Sequence, residues 1–179
     1  MKSPLRYPGG KSRAAKYIAT FVPNDAKEFC SPFIGGGSVE LKIAERGTKV
    51  YGYDIFQPLT CFWKHLLKSP MALATLADTY RTPLDGNKGL TRNDFLRLKR
   101  DLCEEPATTL THAAKFYALN RSSFSGATLS GGYSKQAAYK RFTTSSIERV
   151  RKFQEPNLEV GCLDFKESIP KHPDAFLYC

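Results

Sequence analysis

Three consecutive glycines, Gly35-Gly36-Gly37, stand between an apolar run from Phe29 to Ile34 and a segment with helical apolar spacing, Ser38 to Arg46. Glycine lets a backbone pass close to a ligand, and a helix N-terminus offers N–H groups without helical partners. Strand, glycine turn and helix in that order therefore open a nucleotide-binding βαβ unit. Lys49 to Ile55 reads as the next strand and carries Asp54 near its end. A carboxylate there can accept two hydrogen bonds from a ribose diol. This set points to a cofactor that contains a nucleoside and leaves its identity open.

A second set lies in Asn120 to Ser134, where small hydrogen-bonding residues and glycines surround two aromatics, Phe124 and Tyr133. Such a loop can approach a phosphate backbone, and an exposed ring can stack on bases or wedge between them. Lys135, Lys140 and Arg141 follow it. Near the start, Gly10-Lys11-Ser12 resembles the end of a phosphate-binding loop, but Leu5 occupies the place of that motif's first glycine. The segment reads instead as a Pro-Gly-Gly turn into a helix, with Tyr7 and Lys11, taken alone, as packing and surface residues.

These residues need elements to position them. Ala14, Ala15, Ile18, Ala19 and Val22 give a helical face that Pro23 ends. Residues 58–119 are mostly helical in pattern. Leu59, Phe62, Trp63, Leu66 and Leu67 read as core, Thr82 to Gly89 as a loop, Leu90 to Leu102 as a basic helix and Ala107 to Leu119 as a buried one. Ser145-x-x-Glu148 reads as the capping box of a helix reaching about Phe153. Leu158 to Phe165 and the segment 174–179 read as further strands. Strands 29–34, 50–55, 158–165 and 174–179 are expected in one mostly parallel sheet.

The chain has 179 residues and a net charge of +10, high for its size and suited to a polyanionic partner. Residues 58–158 hold 16 Lys and Arg against 8 Asp and Glu, whereas 1–57 hold 9 against 5 and 159–179 hold 2 against 4. The basic part is therefore the middle. It coincides with the aromatic loop, which favours nucleic acid over a set of merely solvated helix faces. No apolar run reaches the ~20 residues of a membrane span, and the first residues carry no signal-peptide core. Five cysteines without a Cys-x-x-Cys pair read as reduced thiols of a cytosolic protein with no structural metal.

Tyr7-Pro8-Gly9-Gly10-Lys11, Ser31-Pro32-Phe33-Ile34-Gly35-Gly36-Gly37-Ser38, Tyr53-Asp54-Ile55, Leu119-Asn120-Arg121 with Phe124-Ser125-Gly126, and Cys162-Leu163-Asp164-Phe165 follow in one order. In that order the chain resembles the Dam-type (D12 class) adenine-N6 DNA methyltransferases over nearly its whole length. The resemblance implies an α/β fold: an incomplete Rossmann-like sheet binding S-adenosyl-L-methionine, with a mainly helical target-recognition insertion. Residues 1–57 and 158–179 would form the cofactor-binding part and 58–157 the insertion. Tyr7, Gly9, Gly10 and Lys11 would shape and flank the methionine end of the cofactor. Phe33, Gly35, Gly37 and Ser38 would line its cleft, Asp54 with Ile55 would take the ribose, and Asp164 with Phe165 the adenine. Arg121, Ser122, Phe124, Ser125 and Gly126, with Lys135, Lys140 and Arg141, would face double-stranded DNA.

Two positions depart from the family pattern. Ser31 stands where an acid usually precedes the proline, and Leu129 stands near the guanine-reading arginine of Dam proteins, so GATC recognition is not implied. A third difference is an absence: the family's Asp-Pro-Pro-Tyr, whose acceptors engage the target amine, does not occur among the 179 residues. The chain is therefore expected to be the N-terminal part of a cytoplasmic, prokaryotic or phage-encoded enzyme. It would be inactive alone, carry no catalytic residue of its own, and be completed by a C-terminal part or a second chain. The alternatives are a non-catalytic DNA- or cofactor-binding fragment or split subunit, and an NAD-type Rossmann enzyme. Against the last, Glu40 replaces the third glycine of G-x-G-x-x-G and no general-acid histidine is well placed.

Overall fold

A computed structural model describes residues 1–84 and 87–179. In chain order the elements are α1 (Ala15–Ile18, continued as a 3-10 turn Ala19–Phe21), β1 (Glu28–Ser31), α2 (Ser38–Ala44) and β2 (Lys49–Asp54). Next come α3 (Gln57–Lys68), α4 (Pro70–Asp78), β3 (Thr82–Leu84), β4 (Asn87–Gly89), α5 (Arg92–Glu104) and α6 (Leu110–Ser122). After a 3-10 turn at Phe124–Gly126 follow α7 (Lys135–Lys140), α8 (Thr144–Arg151), β5 (Leu158–Cys162), α9 (Phe165–Ser168) and β6 (Phe176–Leu177). The chain divides into two units: unit one is residues 1–3, 9–60 and 155–179, and unit two is residues 4–8 and 61–154. Among the described residues no helix is long and apolar enough to cross a membrane.

Unit one is a four-stranded sheet of order β5-β2-β1-β6 with every neighbouring pair parallel. This is a mixed α/β fold around a parallel sheet, in line with the fold class expected from the sequence. Phe29, fully buried on β1, stacks on Phe176 at 6.0 Å and on Tyr178 at 5.8 Å. Leu41, Ile43 and Ala44 bury the inner stripe of α2, whose helical spacing the sequence shows.

Three of the four strands, β1, β5 and β6, are shorter than expected. β1 stops at Ser31 because Pro32 has no N–H to donate and the chain turns there. β5 stops at Cys162, and Asp164 is not at a strand end: its side chain accepts from the N–H of Lys166 at 2.9 Å and caps α9. β6 is two residues long, extended by one further bond from Tyr178 N–H to the carbonyl of Cys30, 2.9 Å.

Unit two is mainly helical. Phe62 stacks on Tyr117 at 5.5 Å, and Trp63, Phe116 and Phe142 are fully buried with them. The expected loop 82–89 is an antiparallel hairpin with Thr82 opposite Gly89, and its Asp85 and Gly86 lie outside the described residues. The expected capping box is displaced by two residues. Thr143 caps α8 and exchanges hydrogen bonds with Ser146, while Glu148 instead pairs with Arg151 at 2.9 Å. Helix α6 runs on through Ser122, so Asn120, Arg121 and Ser122 form its last turn and not a loop.

Candidate functional sites

In unit one the candidate residues gather at the C-terminal ends of the parallel strands. Gly35 (φ 46°) and Gly37 (φ 66°) hold left-handed conformations that side chains resist, so the chain can reverse after β1 and enter α2 directly. Asp54, the last residue of β2, closes this turn. One carboxylate oxygen accepts from Gly35 N–H at 3.3 Å and the other from Phe56 N–H at 3.0 Å. A carboxylate has about four acceptor positions, so two backbone bonds leave capacity for a ligand.

Apolar surface lies in the same region. Phe33 is 55 % exposed, Ile55 68 % and Phe165 41 %, and the Phe33 and Phe165 rings meet at 5.8 Å. Exposed rings beside an acid with spare acceptor capacity suit a ligand that joins a flat heterocycle to hydroxyl groups. Asp164 reaches this end of the sheet with one oxygen already engaged as a helix cap. Ser38 opens α2 half-buried. Gly9, Gly10 and Lys11 are exposed in a turn of their own, where Lys11 Nζ donates to the Gly9 carbonyl at 3.0 Å. Tyr7 falls in unit two, so the site of unit one is built without it. A cavity of about 610 Å³ lies at the opposite, N-terminal ends of β1 and β6 and contains none of these residues.

One residue missed by the sequence reading as a site member is Glu40. Its carboxyl is 2 % exposed and accepts from Ser31 Oγ at 2.7 Å, at the end of β1. Burial pushes it up to about 7, against the opposing hydrogen bonds from Ser31 and from the N–H groups of Glu40 and Val39. The only sequence signal was negative, an acid where a glycine fingerprint wants glycine.

In unit two the structure separates the candidate residues into an interior and an exposed group. Arg121 is 7 % exposed: its Nε and Nη2 donate to the Arg141 carbonyl at 2.8 and 2.6 Å, and its Nη1 to the Pro4 carbonyl at 3.3 Å. Ser122 and Gly126 are buried as well. The expectation that these three face DNA directly is therefore corrected: Arg121 ties the chain at Arg141 and Pro4, and the main-chain carbonyls of Ser122 and Gly126 accept from Ser134 N–H at 3.0 Å and from the Asn120 amide at 3.1 Å. Gly126 (φ 78°) is needed for close approach, because a Cβ there would sit 2.5 Å from the Arg6 carbonyl oxygen.

Asn120, fully buried, binds Arg6 both ways, accepting from its N–H at 3.0 Å and donating to its carbonyl at 2.6 Å. It donates also to the carbonyl of Gly126 at 3.1 Å and to Thr128 Oγ1 at 3.3 Å. This network holds Ser125 (φ 52°) and Thr128 (φ 51°) in the left-handed region, which is costly for residues other than glycine. Above it Phe124 stands 71 % exposed beside the exposed Ser125.

Lys135, Lys140 and Arg141 are exposed. Arg6, which the sequence reading left unassigned, joins them: burial and then the charge of Arg141 lower its pKa, and no carboxylate contributes. Its position just before Tyr7-Pro8-Gly9-Gly10 was the available signal. A cavity of about 780 Å³ in this unit is lined by Arg92, Phe95, Lys99, Tyr133, Lys135 and Tyr139.

Comparison with known proteins adds one positive finding. A family model described as D12 class N6 adenine-specific DNA methyltransferase matches residues 7–179. A search among curated proteins finds no match.

Proposed function

The chain belongs to the D12 class of N6 adenine-specific DNA methyltransferases, and from that premise we propose that unit one holds S-adenosyl-L-methionine and unit two holds double-stranded DNA. The observation that carries the cofactor half is Asp54, fixed by two backbone N–H groups beside the exposed rings of Phe33 and Phe165. The residues fit the group: Asp54 would accept from the ribose hydroxyls, and Phe33, Ile55 and Phe165 would cover the adenine and ribose faces. Asp164 would use its second oxygen towards the adenine amine. Gly35 and Gly37 keep the turn free of Cβ atoms, and Ser38, Gly9, Gly10 and Lys11 would complete the methionine end, whereas Tyr7 belongs to unit two and is left out of this site. When bound, the cofactor supplies an electrophilic methyl group on a sulfonium.

For DNA, the exposed Phe124 on a strained and internally bonded loop is suited to stack on a base or enter a base step without losing much order on binding. Ser125, Lys135, Lys140, Arg141 and Arg6 would take phosphates, with Arg121, Ser122 and Gly126 holding the loop behind them. The same reading assigns 1–57 and 158–179 to cofactor binding and 58–157 to target recognition, except that residues 4–8, which carry Arg6, go with the target-recognition unit. N6 of adenine is a weak nucleophile because its lone pair is delocalised into the ring, so transfer needs acceptors for the amine protons. Asp-Pro-Pro-Tyr, which supplies them in the resembling family, does not occur among the 179 residues. The polypeptide of these residues alone is proposed to bind both partners and to transfer no methyl group.

Fluorescence anisotropy with an unmethylated duplex tests the DNA half. Affinity should fall steeply between ~50 and ~200 mM salt. Lys135→Ala should flatten the log–log salt slope by about 0.9, and Phe124→Ala should weaken binding without changing the slope. Binding that ignores salt, or a Phe124→Ala protein that binds as tightly as the parent, contradicts the assignment. Methyl transfer by the purified 179-residue chain, free of host methylase, contradicts the catalytic half.

A further inference from the structure

An acid enclosed without a cation is costly to keep charged, so its presence in a packed interior calls for an explanation. Glu40 is such an acid. It lies in the first turn of α2 among Val39, Leu41 and Ile43, all apolar and buried, and no ion pair involving it is found among the described residues. Packing alone would be served as well by an apolar side chain at this position. Its partner Ser31 is fully buried at the last position of β1, where the chain leaves the sheet for the glycine turn. The carboxyl thus joins the two ends of the turn that forms the candidate cofactor site. Tyr178, just after β6, is a titratable group that feels its charge. No charged side chain of α1, β2 or β5, which pack against α2, contributes to its own shift.

We propose that Glu40, oriented by Ser31, is a positioning residue of the cofactor site whose carboxylate lends negative charge to the glycine turn and so favours a sulfonium ligand over the neutral thioether. This rests on the cofactor reading above. The carboxyl titrates near neutrality, being pushed up to about 7 by burial, so the preference should switch on as pH rises through that value. Ser31 and two backbone N–H groups favour the charged form. Loss of the Ser31 hydroxyl should therefore move the switch to higher pH.

Equilibrium binding of S-adenosylmethionine and S-adenosylhomocysteine to the 179-residue chain at pH 6, 7 and 8 provides the test. Both ligands carry the same amino acid and adenosine ends, so their affinity ratio isolates the sulfonium charge. In the parent the ratio should rise roughly five- to tenfold from pH 6 to pH 8, as expected of one added charge nearby at intermediate dielectric. Glu40→Gln keeps an acceptor for Ser31, and its ratio should stay flat. Ser31→Ala, which leaves the acid in place, should show the same rise displaced upward in pH. A parent ratio that does not change with pH, or one that rises equally in Glu40→Gln, overturns the proposal while leaving the cofactor site intact. Failure of the parent to bind either ligand overturns the cofactor reading and this inference with it.

Discussion

The two units bend their chains at the candidate sites by opposite means. Unit one turns through Gly35 and Gly37, where left-handed backbone costs little, and ties the turn with carboxyls: Asp54 to Gly35 and Phe56, Glu40 to Ser31. Unit two turns through Gly126 too, but also through Ser125 and Thr128, where the same backbone is strained, and ties the turn with amide and hydroxyl groups around Asn120. A glycine turn stays open and leaves room for a ligand to lie against the main chain. A strained turn persists only when its surroundings over-determine it, and then presents its exposed side chain rigidly. The first arrangement suits enclosure of a small cofactor and the second suits display of Phe124.

The contrast can be broken most severely at Asn120. Asn120→Ala removes the partner of the Arg6 N–H and carbonyl and of Gly126 and Thr128, all in the interior of unit two. A loss of about 4 kcal/mol in urea unfolding is expected, at the upper end for one side chain because several buried groups are orphaned together. A loss below about 1 kcal/mol would mean that the loop is not held in this way.

A somewhat smaller effect belongs to Glu40. Its folded-state carboxyl titrates at about 7 against a reference value of 4.5. The folded chain therefore binds the proton more tightly than the unfolded chain. This contribution is fully present below about pH 4.5 and is lost as pH rises to about 7, amounting to about 3 kcal/mol across the interval. Glu40→Gln should remove that part of the slope in a series of urea unfolding curves from pH 4.5 to 8, and an unchanged slope would contradict the burial of this acid.

How much of this the sequence revealed depends on where each group's partner lies. The βαβ opening was readable because glycine, apolar spacing and Asp54 are local signals, and the structure places all of them at one end of a parallel sheet. Arg121 was misplaced because its guanidinium binds main-chain carbonyls of Arg141 and Pro4, distant in sequence and without side-chain signature. Composition cannot separate such a cation from an exposed one. Asp164 looked like a strand end, since a capping acid and a strand-end acid differ only in where the next N–H points. Ser145 and Glu148 satisfied the capping pattern, yet Thr143 with Ser146 satisfies the geometry. Ser31 read as a missing acid, and the carboxyl it contacts comes from nine residues further on, across a turn whose closure only the fold shows.

We place cofactor recognition in unit one and DNA recognition in unit two. Titration calorimetry with S-adenosylmethionine and anisotropy with duplex DNA, both on Asp54→Ala and on the parent chain, test it most directly. Loss of two charge-assisted hydrogen bonds, each worth about 1.5–3 kcal/mol, predicts cofactor affinity reduced by about a hundredfold or more. DNA affinity should stay within about twofold of the parent. Unchanged cofactor affinity, or DNA affinity that falls in step with it, would contradict the account.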